Sequence, residues 1–222
     1  MWDKGWESIF SENEYGKYPS EELIRFVAIN YYKVPNRNDI KILEIGSGTG
    51  PNLWYLAREG FMVVGVEGSL SGVEKTKERL KKESLTAEVF VGDVMNLTFE
   101  DNSFDCVIDM ECLCANTFKD SLIILDEVLR VLKLNGKFIS RTFMTGSEGY
   151  GKGLKLEGEE NTYNDSFQGT ETKGCGIIRF TSEEEILELY NKFNIENIDY
   201  RILTKDNQQI NVKEWLIVCS KK

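Results

Sequence analysis

The chain of 222 residues contains no histidine. That removes the side chain that most often moves protons near neutral pH. Acid–base chemistry must fall to carboxylates, tyrosines or thiols. Cysteine is scarce and odd in number: Cys106, Cys112, Cys114, Cys175 and Cys219. Scattered thiols of this kind do not make a disulfide framework. Cys112 and Cys114 would need two further thiolates from distant places to hold zinc, so no metal is expected. Cys106 and Cys219 read as small core residues in strands, and Cys112 and Cys114 as residues at or beneath a pocket mouth. No apolar run approaches the ~20 residues a membrane helix needs. The first residues, Met-Trp-Asp-Lys-Gly-Trp, lack a basic segment followed by an apolar one, so a cytoplasmic location is the expectation. Basic residues are outnumbered, 27 to 37, for a net charge of −10. The densest basic stretch, Lys75, Lys77, Arg79, Lys81 and Lys82, is interrupted by Glu74 and Glu78 and reads as a solvated helix face. A nucleic-acid partner is therefore not expected. With 41% hydrophobic and 29% charged residues, the chain has the makings of one soluble α/β domain with a real core.

What is present is concentrated in residues 40–69. Ile40, Ile42, Leu43 and Ile45 form a short apolar run suited to a buried parallel strand. Gly46, Gly48 and Gly50 follow, allowing a tight turn and close approach of a ligand to bare backbone. Pro51 stands where a helix would begin, Leu53, Leu56 and Ala57 supply its apolar face, and Gly60 ends it. A second strand over 61–66 carries Glu67 at its C-terminal tip. Strand–loop–helix–strand units of this kind bind nucleoside-containing cofactors at the ends of parallel strands. The dinucleotide spacing would need glycine at position 51, where proline stands. Glu44, beside the loop, would repel a pyrophosphate and welcome a sulfonium or ammonium.

The run Glu44-Ile45-Gly46-Ser47-Gly48-Thr49-Gly50 resembles the first motif of class I S-adenosylmethionine (SAM) dependent methyltransferases, of the type-11-like, Rossmann-like kind. Glu67 is similar to that family's ribose-binding acid, and Gly92-Asp93-Val94-Met95 to its adenine-binding turn. Phe104-Asp105-Cys106-Val107-Ile108-Asp109 resembles its fourth strand. The run 129–137 resembles the turn before its fifth strand, with Leu134-Asn135 where Pro-Gly is usual. The likeness spans 40–143 in order. It implies a three-layer α/β fold: a doubly wound seven-stranded sheet, mainly parallel with an antiparallel last strand, plus an N-terminal helical flap and a long insertion after the fifth strand.

Along the chain, Trp2, Trp6, Phe10, Tyr15 and Tyr18 make an aromatic segment with little periodicity, read equally as core packing or as a flap over a site. Ser20 caps a helix whose Leu23, Phe26, Val27 and Tyr31 share a face. Helices are expected over 71–82 and 119–133, with strands over 87–91, 104–110 and 137–143. Residues 144–177 hold eight of the nineteen glycines and read as a substrate-side insertion or lid. Thr181-Ser182-Glu183-Glu184 starts a helix, and strands over 195–203 and 209–219 end the chain. The expected organisation is a single domain over 1–222: flap and helix to 38, core 39–143, insertion 144–177, closing helix and strands 178–222.

The resemblance implies SAM as cofactor, S-adenosylhomocysteine as product, and a small-molecule acceptor. The residues it assigns to the cofactor are Tyr18, Glu44, Gly46, Ser47, Gly48, Gly50, Asn52, Glu67, Gly68, Ser69, Asp93, Val94, Met95, Asp109 and Met110. Glu111, Asp109 and Arg141 are candidates for catalysis or acceptor binding, with Tyr150 a further candidate base. Alternatives are a SAM-binding regulatory protein without turnover, or a nicotinamide-dependent reductase. The sequence does not name the acceptor or the oligomeric state.

Overall fold

The computed structural model describes residues 4–13, 16, 18–165 and 174–222. Its centre is a seven-stranded sheet built in the order β3-β2-β1-β4-β5-β10-β9. The strands are β1 (Lys41–Ile45), β2 (Met62–Glu67), β3 (Glu88–Val91), β4 (Phe104–Met110), β5 (Leu132–Phe143), β9 (Asn194–Lys205) and β10 (Ile210–Ser220). The first five run parallel, and β10 lies antiparallel between β5 and β9. This is the expected mainly parallel sheet. A crossover returning to a parallel neighbour needs a helix, whereas a tight hairpin such as β9–β10 forces opposite directions.

The period-two alternation of the strands divides the core. Ile42, Val63, Val89, Cys106, Ile108 and Ile139 point to one face, where helices α2 (Glu21–Tyr31), α3 (Pro51–Arg58) and α4 (Leu70–Lys82) cover them. Leu43, Ile45, Val64, Val66, Val107, Phe138 and Ile217 point to the other, under α5 (Phe118–Val131) and α6 (Glu183–Leu189). Local chemistry sets the helix starts. Ser20 accepts from the Leu23 amide, Thr117 from Asp120, and Ser182 and Glu185 form a reciprocal capping box.

Of the N-terminal aromatics, read as a helical segment packed on the core or as a flap, Trp6 and Phe10 fall on helix α1 (Gly5–Glu12), which buries Ile9 and Phe10. Its partners lie far away in sequence, so no local period announces it. The helix expected to reach residue 133 ends at Val131, and β5 begins directly at Leu132, passing through Asn135 at φ 62°. Gly136 lies against the Lys133 and Asp105 carbonyl oxygens, too close for a Cβ, so the backbone itself makes this join.

Between β5 and α6 the chain builds a small antiparallel sheet of β6 (Leu154–Lys155), β7 (Thr162–Asn164) and β8 (Ile177–Arg179). Tyr163, Ile178 and Phe180 of this region pack with Ile9 and Phe10 of α1 in a third apolar cluster. Residues 166–173 of the expected insertion, and Trp2 and Tyr15 of the expected flap, lie outside the described residues.

The start of α4 and the glycine turn after β1 are in close contact. A Cβ on Gly72 would stand 2.9 Å from the Gly48 carbonyl oxygen and 3.2 Å from Glu67 Cγ. Thr76 Oγ1 donates to the Gly72 and Gly48 carbonyls nearby. The substitution Gly72→Ala should therefore destabilise the protein by about 1–3 kcal/mol, the usual cost of overpacking. Chemical denaturation checks this; an unchanged midpoint would show that the loop yields freely.

Candidate functional site

The C-terminal ends of β1, β2 and β4 open onto one cavity of about 320 Å³, within the size range of small-ligand sites. Register explains the grouping. Ile45 pairs with Val66 on one side and Asp109 on the other, so Glu67 and Met110 reach the same edge of the sheet. They flank β1 and stand about two strand spacings, ~10 Å, apart.

The glycine turn forms the floor. Gly46, Gly48 and Gly50 all have positive φ, and a Cβ on Gly46 would strike Cys112 Sγ at 2.6 Å. Glu67 is buried at the tip of β2; its Oε2 accepts from the Gly48 amide and Oε1 from the Ser69 amide, each at 2.8 Å. Burial raises its pKa, and the amides of Ser69 and Gly48 oppose the shift.

Glu44 is 2% exposed. Its Oε1 accepts from Asn52 Nδ2 at 2.6 Å, while no described residue donates to Oε2. Burial pushes its pKa up to about 8, with Glu67 and Asp109 adding repulsion. A buried carboxylate oxygen without a donor costs free energy until a proton or a ligand donor arrives.

At the end of β4, Glu111 has φ 73°, a strained value for a residue with a side chain. Two contacts hold it there: its amide donates to the Arg141 carbonyl, and its carboxylate meets Arg141 Nη2 at 2.8 Å. Arg141 also lies 3.5 Å from Glu214 and 4.0 Å from Glu22. Behind it, Arg201 pairs with Glu22 at 2.8 Å and with Glu214. Burial and the Glu214 carboxylate raise the Glu111 pKa, against the pull of Arg141.

The cavity walls bring together Tyr18, Glu44, Gly46, Ser47, Gly48, Asn52, Glu67, Gly68, Asp93, Val94, Met110, Glu111 and Arg141 from the expected set. Four expected residues stand outside the lining. Gly50 is taken up by packing, since a Cβ there would meet Thr76 Cγ2 at 2.4 Å. Ser69 caps α4, accepting from the Gly72 amide. The Met95 amide donates to Asp93 Oδ1, and its side chain packs on the core.

Asp109, expected both at the cofactor and in catalysis, is fully buried and engaged. It accepts from the Cys112 and Leu113 amides and, at 2.5 Å, from Ser140 Oγ, which in turn accepts from Tyr190. Burial still raises its pKa, to about 6. Its position supports the turn that carries Glu111. Tyr150, the further candidate base, also stands away from the cavity walls. It donates to Asn161 Oδ1.

Other wall residues lie outside the expected cofactor and catalytic set. Trp6 and Phe10, two of the aromatics read as core packing or flap, arrive on α1; Cys112, read as a residue at or beneath a pocket mouth, and Asn116 come from the turn after β4. Helix α1 is latched by Glu7, whose carboxylate accepts from Ser69 Oγ at 2.6 Å and from Ser71 Oγ. These hydroxyls, Ser69 first, hold the Glu7 pKa low. Only the aromatic composition hinted at α1; nothing local marks Glu7 as a partner of residues more than sixty positions away.

Among the described residues no group of three or more Cys, Asp or Glu side chains could hold a metal, and no helix is long and apolar enough to cross a membrane.

A nucleoside-sized cavity over a glycine turn, at the carboxyl ends of a sheet ordered 3-2-1-4-5 with a terminal antiparallel hairpin, defines a class I Rossmann-like methyltransferase fold. Residues 42–136 match the family model described as a methyltransferase domain, and this core is similar to class I, Rossmann-like SAM-dependent methyltransferases. An uncharacterized methyltransferase of Bacillus subtilis is 33% identical over 101 residues, covering 46% of this chain and 42% of that protein. A sterol 24-C-methyltransferase of Kluyveromyces lactis is 29% identical over 144 residues, 62% of this chain and 38% of the other. The chain thus spans less than half the length of these curated relatives. Among solved structures, a SAM-dependent methyltransferase from Methanosarcina mazei superposes with a TM-score of 0.73 at 22% identity, covering 87% of this chain and 96% of that one.

The buried acids make a pH prediction. The pKa of Glu44 rises to about 8 and that of Asp109 to about 6, both above their unfolded values. The folded state therefore keeps protons that the unfolded chain releases, and stability is lost as pH rises through these values. Without ligand, the melting temperature should fall between about pH 5 and pH 8, and Glu44→Gln should flatten the upper part of that slope. Thermal melts across this range check it. A wild-type curve that rises, or a variant with an unchanged slope, would contradict the assignment.

Proposed function

We propose that this chain transfers a methyl group from SAM to a small-molecule acceptor. The observation that carries the reading is Glu44: a buried carboxylate beside a glycine turn, with one oxygen held by Asn52 and the other left without a donor. An ammonium group is the ligand such an atom lacks. SAM fits, because it joins an amino-acid ammonium to a ribose and a base. Glu67 would accept from the ribose hydroxyls with the lone pairs that the Gly48 and Ser69 amides leave free. Asp93, with Val94 beside it, would take the adenine. Gly46, Ser47 and Gly48 would lie along the middle of the ligand, and Tyr18 and Met110 would bound it. When bound, SAM supplies an electrophilic methyl on a sulfonium.

The chain's own contribution is position and field. Alignment of reacting groups at contact distance can lower a barrier by ~7–11 kcal/mol in favourable cases. The aromatic walls Trp6 and Phe10 exclude water, which strengthens every charge interaction inside. The acidic excess of the chain and the engagement of Arg141 and Arg201 with carboxylates favour a small acceptor over a phosphate backbone. The names of similar proteins, sterol 24-C-methyltransferase and norajmaline N-methyltransferase, point to acceptors of this size.

Calorimetry with SAM and S-adenosylhomocysteine tests the cofactor, with micromolar affinity expected, roughly −7 to −9 kcal/mol. Glu67→Ala should weaken binding by ~1.5–3 kcal/mol, the loss expected for a charged hydrogen-bond partner. No heat and no thermal shift with either ligand would end this reading. A second measurement incubates the protein and radiolabelled SAM with a metabolite extract and with mixed tRNA and DNA. Label is expected in the metabolites; label in nucleic acid alone would overturn the small-molecule assignment.

A further inference from the structure

The charge arrangement on the β4–β5 side of the cavity narrows the class of acceptor. The only cation lining the cavity among the described residues is Arg141. It is shared among Glu111 at 2.8 Å, Glu214 at 3.5 Å and Glu22 at 4.0 Å, and only Arg201 helps it neutralise the last two. An anionic acceptor would find no unshared positive charge there. It would meet instead the Glu111 carboxylate, in a cavity that Glu44, Glu67 and Asp93 line elsewhere. Two of the remaining wall residues, Trp6 and Phe10, offer ring surface, which attracts cations through the negative face of the ring.

Within this setting Glu111 is placed differently from the other acids. Glu67 is occupied by two backbone amides, and Glu44 lies deeper, closed in by Asn52. The Glu111 side chain keeps 34% of its surface open and lines the cavity. The strained φ of 73° turns it there, and the strain is maintained by Asp109, which fixes the next two amides. Behind Glu111 lies Glu214, 2% exposed and bound to Arg201.

Resting on the methyltransferase reading above, we propose that the acceptor is a small amine, and that Glu111 binds its nitrogen and takes the proton the nitrogen loses. The balance is simple. The ammonium first gives one proton to the Glu111 carboxylate; the electron pair this frees on nitrogen forms the new nitrogen–carbon bond, the carbon–sulfur bond breaks with its pair left on sulfur, and the methylated nitrogen carries the positive charge. The proton on Glu111 leaves to solvent when product departs. The acid–base behaviour of Glu111 is set by every element around it: Arg141 on β5, Glu214 on β10, Arg201 on β9, Glu22 on α2 reaching it through Arg141, and Asp109 on β4. Together burial and Glu214 outweigh Arg141 and lift its pKa toward the range useful to a base at neutral pH.

The test uses the full chain with saturating radiolabelled SAM against three sets of small molecules: primary and secondary amines, phenols, and carboxylic acids. Label is expected in the amines. Label confined to phenols or carboxylic acids, or absent from all three sets while S-adenosylhomocysteine still binds, overturns the proposal. Failure of S-adenosylhomocysteine to bind overturns the methyltransferase reading beneath it. With the amine that is labelled best, Glu111→Gln should lower kcat/KM at pH 7 by ~100-fold or more. It should weaken binding of that amine to the S-adenosylhomocysteine complex at least ten-fold, while the affinity for S-adenosylhomocysteine itself stays within two-fold. The wild-type kcat/KM should rise with pH on a limb whose midpoint lies above the ordinary glutamate value of about 4.3, and the variant should lose that limb. A variant that keeps the limb and its amine affinity assigns the proton to another group and overturns the role of Glu111.

Discussion

Much of this molecule hangs on one buried carboxylate. Asp109 has no exposure, and each of its oxygens is committed: one to the amides of Cys112 and Leu113, the other to the Ser140 hydroxyl. Ser140 in turn holds Tyr190 at the end of α6. A charge so deep is costly unless its lone pairs are filled, and here they are filled from two segments, the turn after β4 and strand β5, with α6 joined through Ser140. The carboxylate thereby ties β4, β5 and the closing helix to a single point. It also dictates the path of the chain past Met110, and so the direction in which Glu111 faces. Losing the carboxylate would leave two buried amides and a hydroxyl without acceptors, which is the more expensive side of such a bargain.

The strands and the mainly parallel character of the sheet were legible because they follow from short-range rules. Apolar runs of four to seven residues between turn signals suit strands buried on both faces. Proline at the start of α3 and the serine and threonine caps leave little choice about the helices. The glycine-turn side of the cavity was legible for a related reason: Glu44, the glycine turn and Glu67 sit within one strand–helix–strand unit, so their grouping is local. The β5 side was not. Glu22, Arg141, Arg201 and Glu214 come from α2, β5, β9 and β10, and no spacing in the sequence announces that they meet.

The expected residues that stand outside the cavity lining share a feature. Gly50, Ser69 and Asp109 each stand where a ligand contact is plausible from position alone. In the folded chain each satisfies a nearer demand, whether packing on Thr76, capping a helix or supporting a turn. Helix α1 shows the converse. Phe10 would sit 3.3 Å from a Cβ on Gly48, and Glu7 reaches Ser69 and Ser71, so a segment that looked irregular in sequence completes a wall.

That wall couples two parts of the fold. Phe10 touches the glycine turn on one side and packs with Tyr163, Ile178 and Phe180 on the other. One short helix therefore serves two rooms at once, the one over the glycine turn and the one under the small sheet. A shift of α1 would be felt on both sides, at Gly48 in the glycine turn and at the packed rings of Tyr163 and Phe180.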